Sequence, residues 1–500
     1  MIRNLAYLVF VAIIISLSSC RNDFDFQPST GGLEFSRDTI YLDTVFTNIG
    51  SSTYTLKVFN NSSNNISIPN LALAKGLNSK YRMTVDGMQG NEGKIFNNVE
   101  LLAKDSMYIF IETTADIADA NPTDFLYTDQ IQFGVGSNLQ TVELVTLIQD
   151  AVFLYPQRNG SVTESIPFGE DAIYGFFLDE NDAVNGNEYH WTNTKPYVVY
   201  GYAGVDSGKT LTIDPGARVH FHESSGILVA NGGSIKANGT LSNQIIFEGD
   251  RLEPGFAETP GQWGAIWMTP GSTGNEFNYV TVKNSIIGLW IQDSDATINN
   301  TQIYNSSNFG IYGQTARITG ENVVVNSAGQ VAVACTLGGS YAFKHSTFNN
   351  NWPSSKQVSL LIDNYYINNN QEIAYDLVKA EFDNCIIYGS NQVQFLVNRA
   401  TTSNVFNYQL NNCLLKFNNV GNQFTTNPDY QFNDGVHYNG ITLNANPKFY
   451  NVAKNKLNIE ETSAAVGLGN NSFLVPIDIM GVNRTSPPDL GAYQNAAKSE

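Results

Sequence analysis

The chain has 500 residues, enough for two or three domains, with 42% apolar and 12% aromatic residues to build a sizeable core. Only 15% of residues are charged, and 42 glycines with abundant Asn and Ser stand in for them, the composition of a turn-dense β protein. The net charge of −19 argues against a nucleic-acid binder, which needs clustered Lys and Arg, and equally against a basic patch for anionic lipid.

The first segment reads as a targeting signal. Arg3 supplies a short positive region, and Leu5 to Ile15 is nearly all apolar but short for a membrane span. Leu17-Ser18-Ser19-Cys20 follows. This resembles the bacterial lipobox, in which cleavage precedes a cysteine that is then lipidated. The resemblance implies a signal peptide over 1–19, a lipidated Cys20 as the membrane partner, and a tether over 20–32. Asp23 and Asp25 lie just behind Cys20. Their placement resembles the surface-export signal of Bacteroidetes lipoproteins, which implies an outer-membrane, surface-exposed location.

Residues 33–151 carry period-two strands with long spacings. Thr39-Ile40-Tyr41-Leu42, Tyr54 to Phe59, Tyr81 to Val85, Asp105 to Ile111 and Thr141 to Val145 all alternate. Five or more such strands predict an antiparallel, immunoglobulin-like sandwich. The segment resembles the Ig-like module that precedes β-helices in Bacteroidetes lipoproteins. Asp38-Thr39-Ile40, Asp43-Thr44-Val45 and Asp105-Ser106-Met107 look like acceptors of Bacteroidetes O-glycosylation. Ordinary strand alternation explains them equally well.

Residues 152–206 are punctuated by Pro156, Pro167, Gly186 and Pro196. They are expected to link the domains and to cover the exposed sheet edge at the start of the next one.

From 207 to 495 the text changes again. Asn284-Ser285, Asn305-Ser306 and Asn326-Ser327 recur at a spacing of 21 residues, each followed by a second short apolar run. Two short strands and an Asn corner per repeat fit one coil of a parallel β-helix, too short for a propeller blade. Equivalent strands would then stack about 4.8 Å apart, and the three Asn would form a ladder at left-handed corners. At about 22 residues per coil, roughly a dozen coils are expected.

Leu211-Thr212-Ile213-Asp214-Pro215-Gly216-Ala217, Ile227 to Ala230, Ser234 to Thr240 and Gly261-Gln262-Trp263-Gly264 carry a family resemblance. They look like the opening coils of right-handed parallel β-helix (pectin-lyase-like) proteins, in the surface-lipoprotein subgroup. Pro487-Pro488-Asp489-Leu490-Gly491-Ala492-Tyr493 resembles the closing motif of such chains and is expected to be a terminal cap. The overall expectation is all-β: an Ig-like sandwich, then a right-handed parallel β-helix.

Three cysteines, Cys335, Cys385 and Cys413, sit in apolar strands and read as core thiols. His220 and His222 alternate with Val219 and Phe221, which predicts an outward-facing pair. Asp293 and Asp295 share one side of an extended chain. They are the best candidates for a metal, calcium being the one that the fold's lyases use. No residue pattern singles out a catalytic group.

Past Cys335 the repeats lengthen, which implies loops at 351–370 and 391–407. Trp352, Tyr365, Tyr366 and Phe406 gather there as candidate binding residues. The expected function is a non-enzymatic binding or adhesion module, for a polysaccharide or a surface protein. A lyase or hydrolase of the β-helix fold and a structural spacer are the alternatives.

Overall fold

The computed structural model describes residues 25–402 and 404–495. Among them the secondary structure is strands and short 3-10 turns, with no α-helix. The chain divides into two compact units, Met1–Asp150 and Ala151–Glu500.

In the first unit, two sheets share one apolar core. One sheet orders Gln27–Pro28, Ile66–Leu73, Leu126–Phe133, Gln140–Gln149 and Thr39–Phe46, with Ile95–Leu101 beside Ile66–Leu73. The other orders Glu34–Phe35, Tyr54–Phe59, Ser106–Thr113 and Tyr81–Val85. Alternation sets which side is buried: Met107, Ile109 and Ile111 point in, while Tyr108 and Phe110 stay exposed. Tyr81 lies at the centre and satisfies its hydroxyl on Tyr127 O at 2.8 Å.

The second unit is built from parallel ladders. Val280–Lys283, Gln302–Ser306, Val324–Ala328, Thr347–Asn350 and Ile386–Gly389 follow one another within an eleven-stranded sheet. An eighteen-stranded sheet carries most of the other strands round the corners. Burial of apolar residues between successive ladders explains the fully enclosed Phe221, Phe247, Phe343 and Phe382. Phe343 stacks on Phe382 at 5.7 Å, in register one coil apart. Cys335, Cys385 and Cys413 are buried free thiols.

The corners are set by left-handed residues. Asn284 (φ 66°) and Asn305 (φ 59°) occupy them as the repeat predicts. Asn326 does not: it pairs with Tyr304, and Ser327 (φ 56°) turns the corner instead. One extra residue in that coil shifts the motif off the ladder. A second, longer ladder runs through Asn300, Asn322, His345, Asn384 and Asn412, all with φ between 44° and 55°. Asn300 donates to Asn278 Oδ1 and Asn322 to Asn300 Oδ1, both at 2.9 Å.

Three further expectations are corrected. The parallel ladders begin at Val152–Leu154, paired with Tyr197–Val199, so part of the expected linker already belongs to the stack. The segment 351–370 is not a plain loop: it contains the ladder strand Val358–Asp363 and a hairpin, Tyr365–Asn368 with Gln371–Ala374. The C-terminal motif is no end cap. It lies along the flank of the eleven-stranded sheet, where Leu490 packs with Ile386, Leu414 and Ile459. The Ala492 N–H donates to Thr347 Oγ1 at 3.0 Å. The outward side chains of that sheet are apolar at Val324, Ile386 and Leu414, so they need a cover, and residues 449–493 supply it.

Candidate functional site

On the eighteen-stranded sheet the residues between the inward-facing ones form an outward column. Pairing aligns Trp267, Trp290, Tyr312, Ala334, Leu361 and Leu396, one per coil. Their neighbours Ile266, Leu289, Ile311, Val333 and Leu360 fill the interior. Trp267 and Trp290 stack at 4.3 Å and 5°, Trp290 and Tyr312 follow at 6.0 Å, and Phe309 lies on Tyr312 at 4.3 Å.

A polar column runs beside the rings. Trp267 donates its indole N–H to Gln292 Oε1 at 3.3 Å, and Trp290 donates to Gln314 Oε1 at 2.8 Å. Each indole thus reaches the amide one coil further on. Gln314 Nε2 in turn donates to the Tyr312 hydroxyl at 3.0 Å. Thr336 and Asp363 continue this column, since Gln314 pairs with Thr336, and Ile362, just before Asp363, pairs with Cys335.

The hairpin 365–374 stands beside the upper end of the stack. Its two-residue turn is Asn369-Asn370, both left-handed (φ 48° and 60°), the geometry that matches the twist of paired strands. Tyr366 stacks on Tyr375 at 6.2 Å. Between the hairpin and the sheet lies a groove of about 570 Å³. Its apolar walls are Phe309, Tyr312, Leu337, Leu361 and the tyrosines 365, 366 and 375, and its polar groups are Gln314, Thr336 and Asp363. Burial pushes the Asp363 carboxyl up to about 6, against the hydrogen bond that its Oδ1 accepts from the Leu337 N–H at 2.9 Å.

Of the four aromatic candidates, the structure brings Tyr365 and Tyr366 into this groove. Phe406 is a correction: it is only 8% exposed, bridges to Leu377 and lies under the Arg399 guanidinium at 4.6 Å. The apolar surface available inside the unit outweighs what a loop tip would leave exposed. Trp352 is half-buried against Gly329, outside the groove. Cys20 lies outside the described residues.

Asp293 turns a corner (φ 39°) and faces Arg317 at 4.0 Å. Asp295 lies 3.7 Å from the same guanidinium, and also accepts from Thr273 Oγ1 and the Gly274 N–H. The shared side is as expected, but the two carboxylates face an arginine. Among the described residues no group of three or more Asp, Glu, His or Cys is arranged to hold a metal.

The histidine pair is also corrected. His222 is exposed and bonded to Asp250 at 2.7 Å, but His220 is 1% exposed. His220 lies within a buried ionic group centred on Glu248, which Arg218 and Lys283 both contact. Burial pushes Glu248 up, yet His220, Lys283 and Arg218 together hold it below the ordinary carboxylate range. Burial pushes the His220 imidazole down while Glu248 pulls it up, and the group, closed on itself, reads as structural.

Sequence reasoning missed Trp290, Tyr312, Gln314, Asp363 and Tyr375. A signal existed for three rings: Trp267, Trp290 and Tyr312 recur at the interval of one coil.

Residues 184–288 match the family model of a pectate-lyase-like beta helix domain. The match ends two residues before Trp290, so it covers the early coils and not the groove. No curated protein matches the chain. Similar solved structures include the E. coli chaperone DraB, at 12% identity and a TM-score of 0.17, over 24% of this chain and 57% of that one. A PapD-like domain of human CEP192 is 13% identical, with a TM-score of 0.16, over 27% of this chain and 96% of that one. A family 123 glycoside hydrolase from Clostridium perfringens is 9% identical, with a TM-score of 0.17, over 25% of this chain and 30% of that one. Similarities this slight carry no argument for fold or function.

Proposed function

We propose that this protein is a lipid-anchored surface protein that captures glycans without cleaving them. In this reading Cys20 holds it in the outer membrane. The first unit is an Ig-like sandwich, and the second is a right-handed parallel β-helix that presents the groove. The observation that carries the reading is the groove itself: five aromatic rings and two leucines line it with an amide, a hydroxyl and a carboxyl. Sugars need that combination, apolar ring faces with hydrogen-bonding groups at their edges. A spacer would need no such hollow.

Asp363 favours a second reading, hydrolysis, because a carboxyl pushed up to about 6 suits a general acid. Glycoside hydrolysis uses two carboxylates about 5–10 Å apart. Asp363 is the one carboxylate among the described residues that line the groove, which supports capture over cleavage.

The test is a panel of neutral and acidic polysaccharides offered to the full chain, with and without calcium, reading both binding and released ends. Binding without products, weakened by Tyr366→Ala, is the expected result. Products that vanish with Asp363→Asn would establish the enzyme instead.

A further inference from the structure

The ring stack follows a rule and then breaks it. At two successive coils an indole N–H fills an acceptor one coil further on, Gln292 and then Gln314. Two coils past Trp290 the aromatic position is Ala334, which has nothing to donate. The acceptor position one coil beyond it holds Asp363. Leu337 satisfies Asp363 Oδ1, and among the described residues Oδ2 has no hydrogen-bond partner. The groove opens at this break.

The chemistry of the vacancy is specific. The acceptor there is a carboxylate, where the lower coils have amides. No lysine, arginine or histidine is among the described residues lining the groove, so the carboxylate has no charge partner. The walls around it include the rings of Tyr312, Tyr366 and Tyr375, the last two stacked on each other, and aromatic quadrupoles attract cations. A sugar hydroxyl would supply a donor but leave the charge unmatched. A uronate would meet like charge. A protonated amine supplies both donor and charge, and charge-assisted hydrogen bonds are about twice as strong as neutral ones.

We infer that this end of the groove takes an amino sugar, with its ammonium on Asp363 Oδ2 and its ring against the tyrosines. The inference rests on the glycan reading and names its ligand class.

The experiment compares glucosamine, N-acetylglucosamine and glucose hexamers as ligands of the full chain at pH 7.5, by calorimetry. The expected result is binding of all three, with the glucosamine hexamer about tenfold tighter. Asp363→Asn, which keeps an acceptor for Leu337, should abolish that preference and bring the glucosamine hexamer to the affinity of the other two. Below pH 6 the preference should fade as Asp363 takes up a proton. The titratable groups that feel the Asp363 charge are Tyr312, Cys335 and Tyr341, all pushed up by burial, so they stay neutral there, and Tyr365, Tyr366 and Tyr375 line the same groove.

Equal affinities for the three hexamers would overturn the inference while leaving glycan capture standing. A preference that survives Asp363→Asn would also overturn it, because general attraction to a chain of net charge −19 would then be the cause. Binding of tetramethylammonium with no hexamer bound would overturn both readings.

Discussion

Arg484 donates from Nη2 to Asn322 Oδ1 at 2.7 Å, across 162 residues of sequence. This bond ties the C-terminal segment to the asparagine ladder at a coil corner. Asn322 is the hub of the contact: it also donates to Ile477 O and to Asn300 Oδ1, both at 2.9 Å. Asn322→Ala removes all three bonds, strands a buried guanidinium and places alanine at φ 55°. The expected cost is about 3 kcal/mol in thermal or urea unfolding. Asn322→Gly should recover only the backbone part of that loss.

His345 stands in the same ladder, between Asn322 and Asn384, and accepts from Asn384 Nδ2 at 2.9 Å. Burial first, and Arg484 second, pull its imidazole down to about 3. The unfolded chain protonates this residue near its ordinary value of about 6.5. The folded state therefore loses stability as pH falls below that value, by about 2 kcal/mol between pH 7 and pH 5. His345→Asn places a residue that tolerates the left-handed corner, so the loss should disappear. Unfolding curves at pH 7 and pH 5 read it directly, and an undiminished acid loss would place its origin elsewhere.

Asp363 acts in the opposite direction. Its folded value of about 6 lies above the unfolded carboxylate range, so the folded state holds the proton longer. Stability from this group is full below about pH 4 and declines as pH rises through 6. The cost at pH 7.5 is about 3 kcal/mol. Asp363→Asn should raise the unfolding midpoint at pH 7.5 and leave it unchanged at pH 4. A residue that destabilises the free protein at neutral pH is consistent with one kept for a ligand.

The repeat at Asn284 and Asn305 was enough to read parallel pairing, because corner asparagines and coil length constrain each other. Further along, Phe343, Phe382 and Leu410 stack in register despite the longer coils. The third repeat misled because one added residue moves Asn326 from the corner into the strand. The site was only half legible. Tyr365 and Tyr366 announce themselves in an Asn-rich loop, but Phe406 does too and folds inward. Trp290, Tyr312 and Asp363 lie on three different strands, and only the stacking of coils brings them together. The ion pairs at Glu248 were illegible for the same reason, since Arg218 and Lys283 come from different coils.

The most direct test of the central claim is calorimetric titration of the full chain with the neutral and amino-sugar hexamers, repeated on Tyr312→Ala and Tyr366→Ala. Glycan capture in the groove predicts measurable binding that falls about tenfold or more in each variant, with no sugar released and the fold intact by circular dichroism. Unchanged affinity in both variants, or no binding to any glycan by the unaltered chain, would contradict the account.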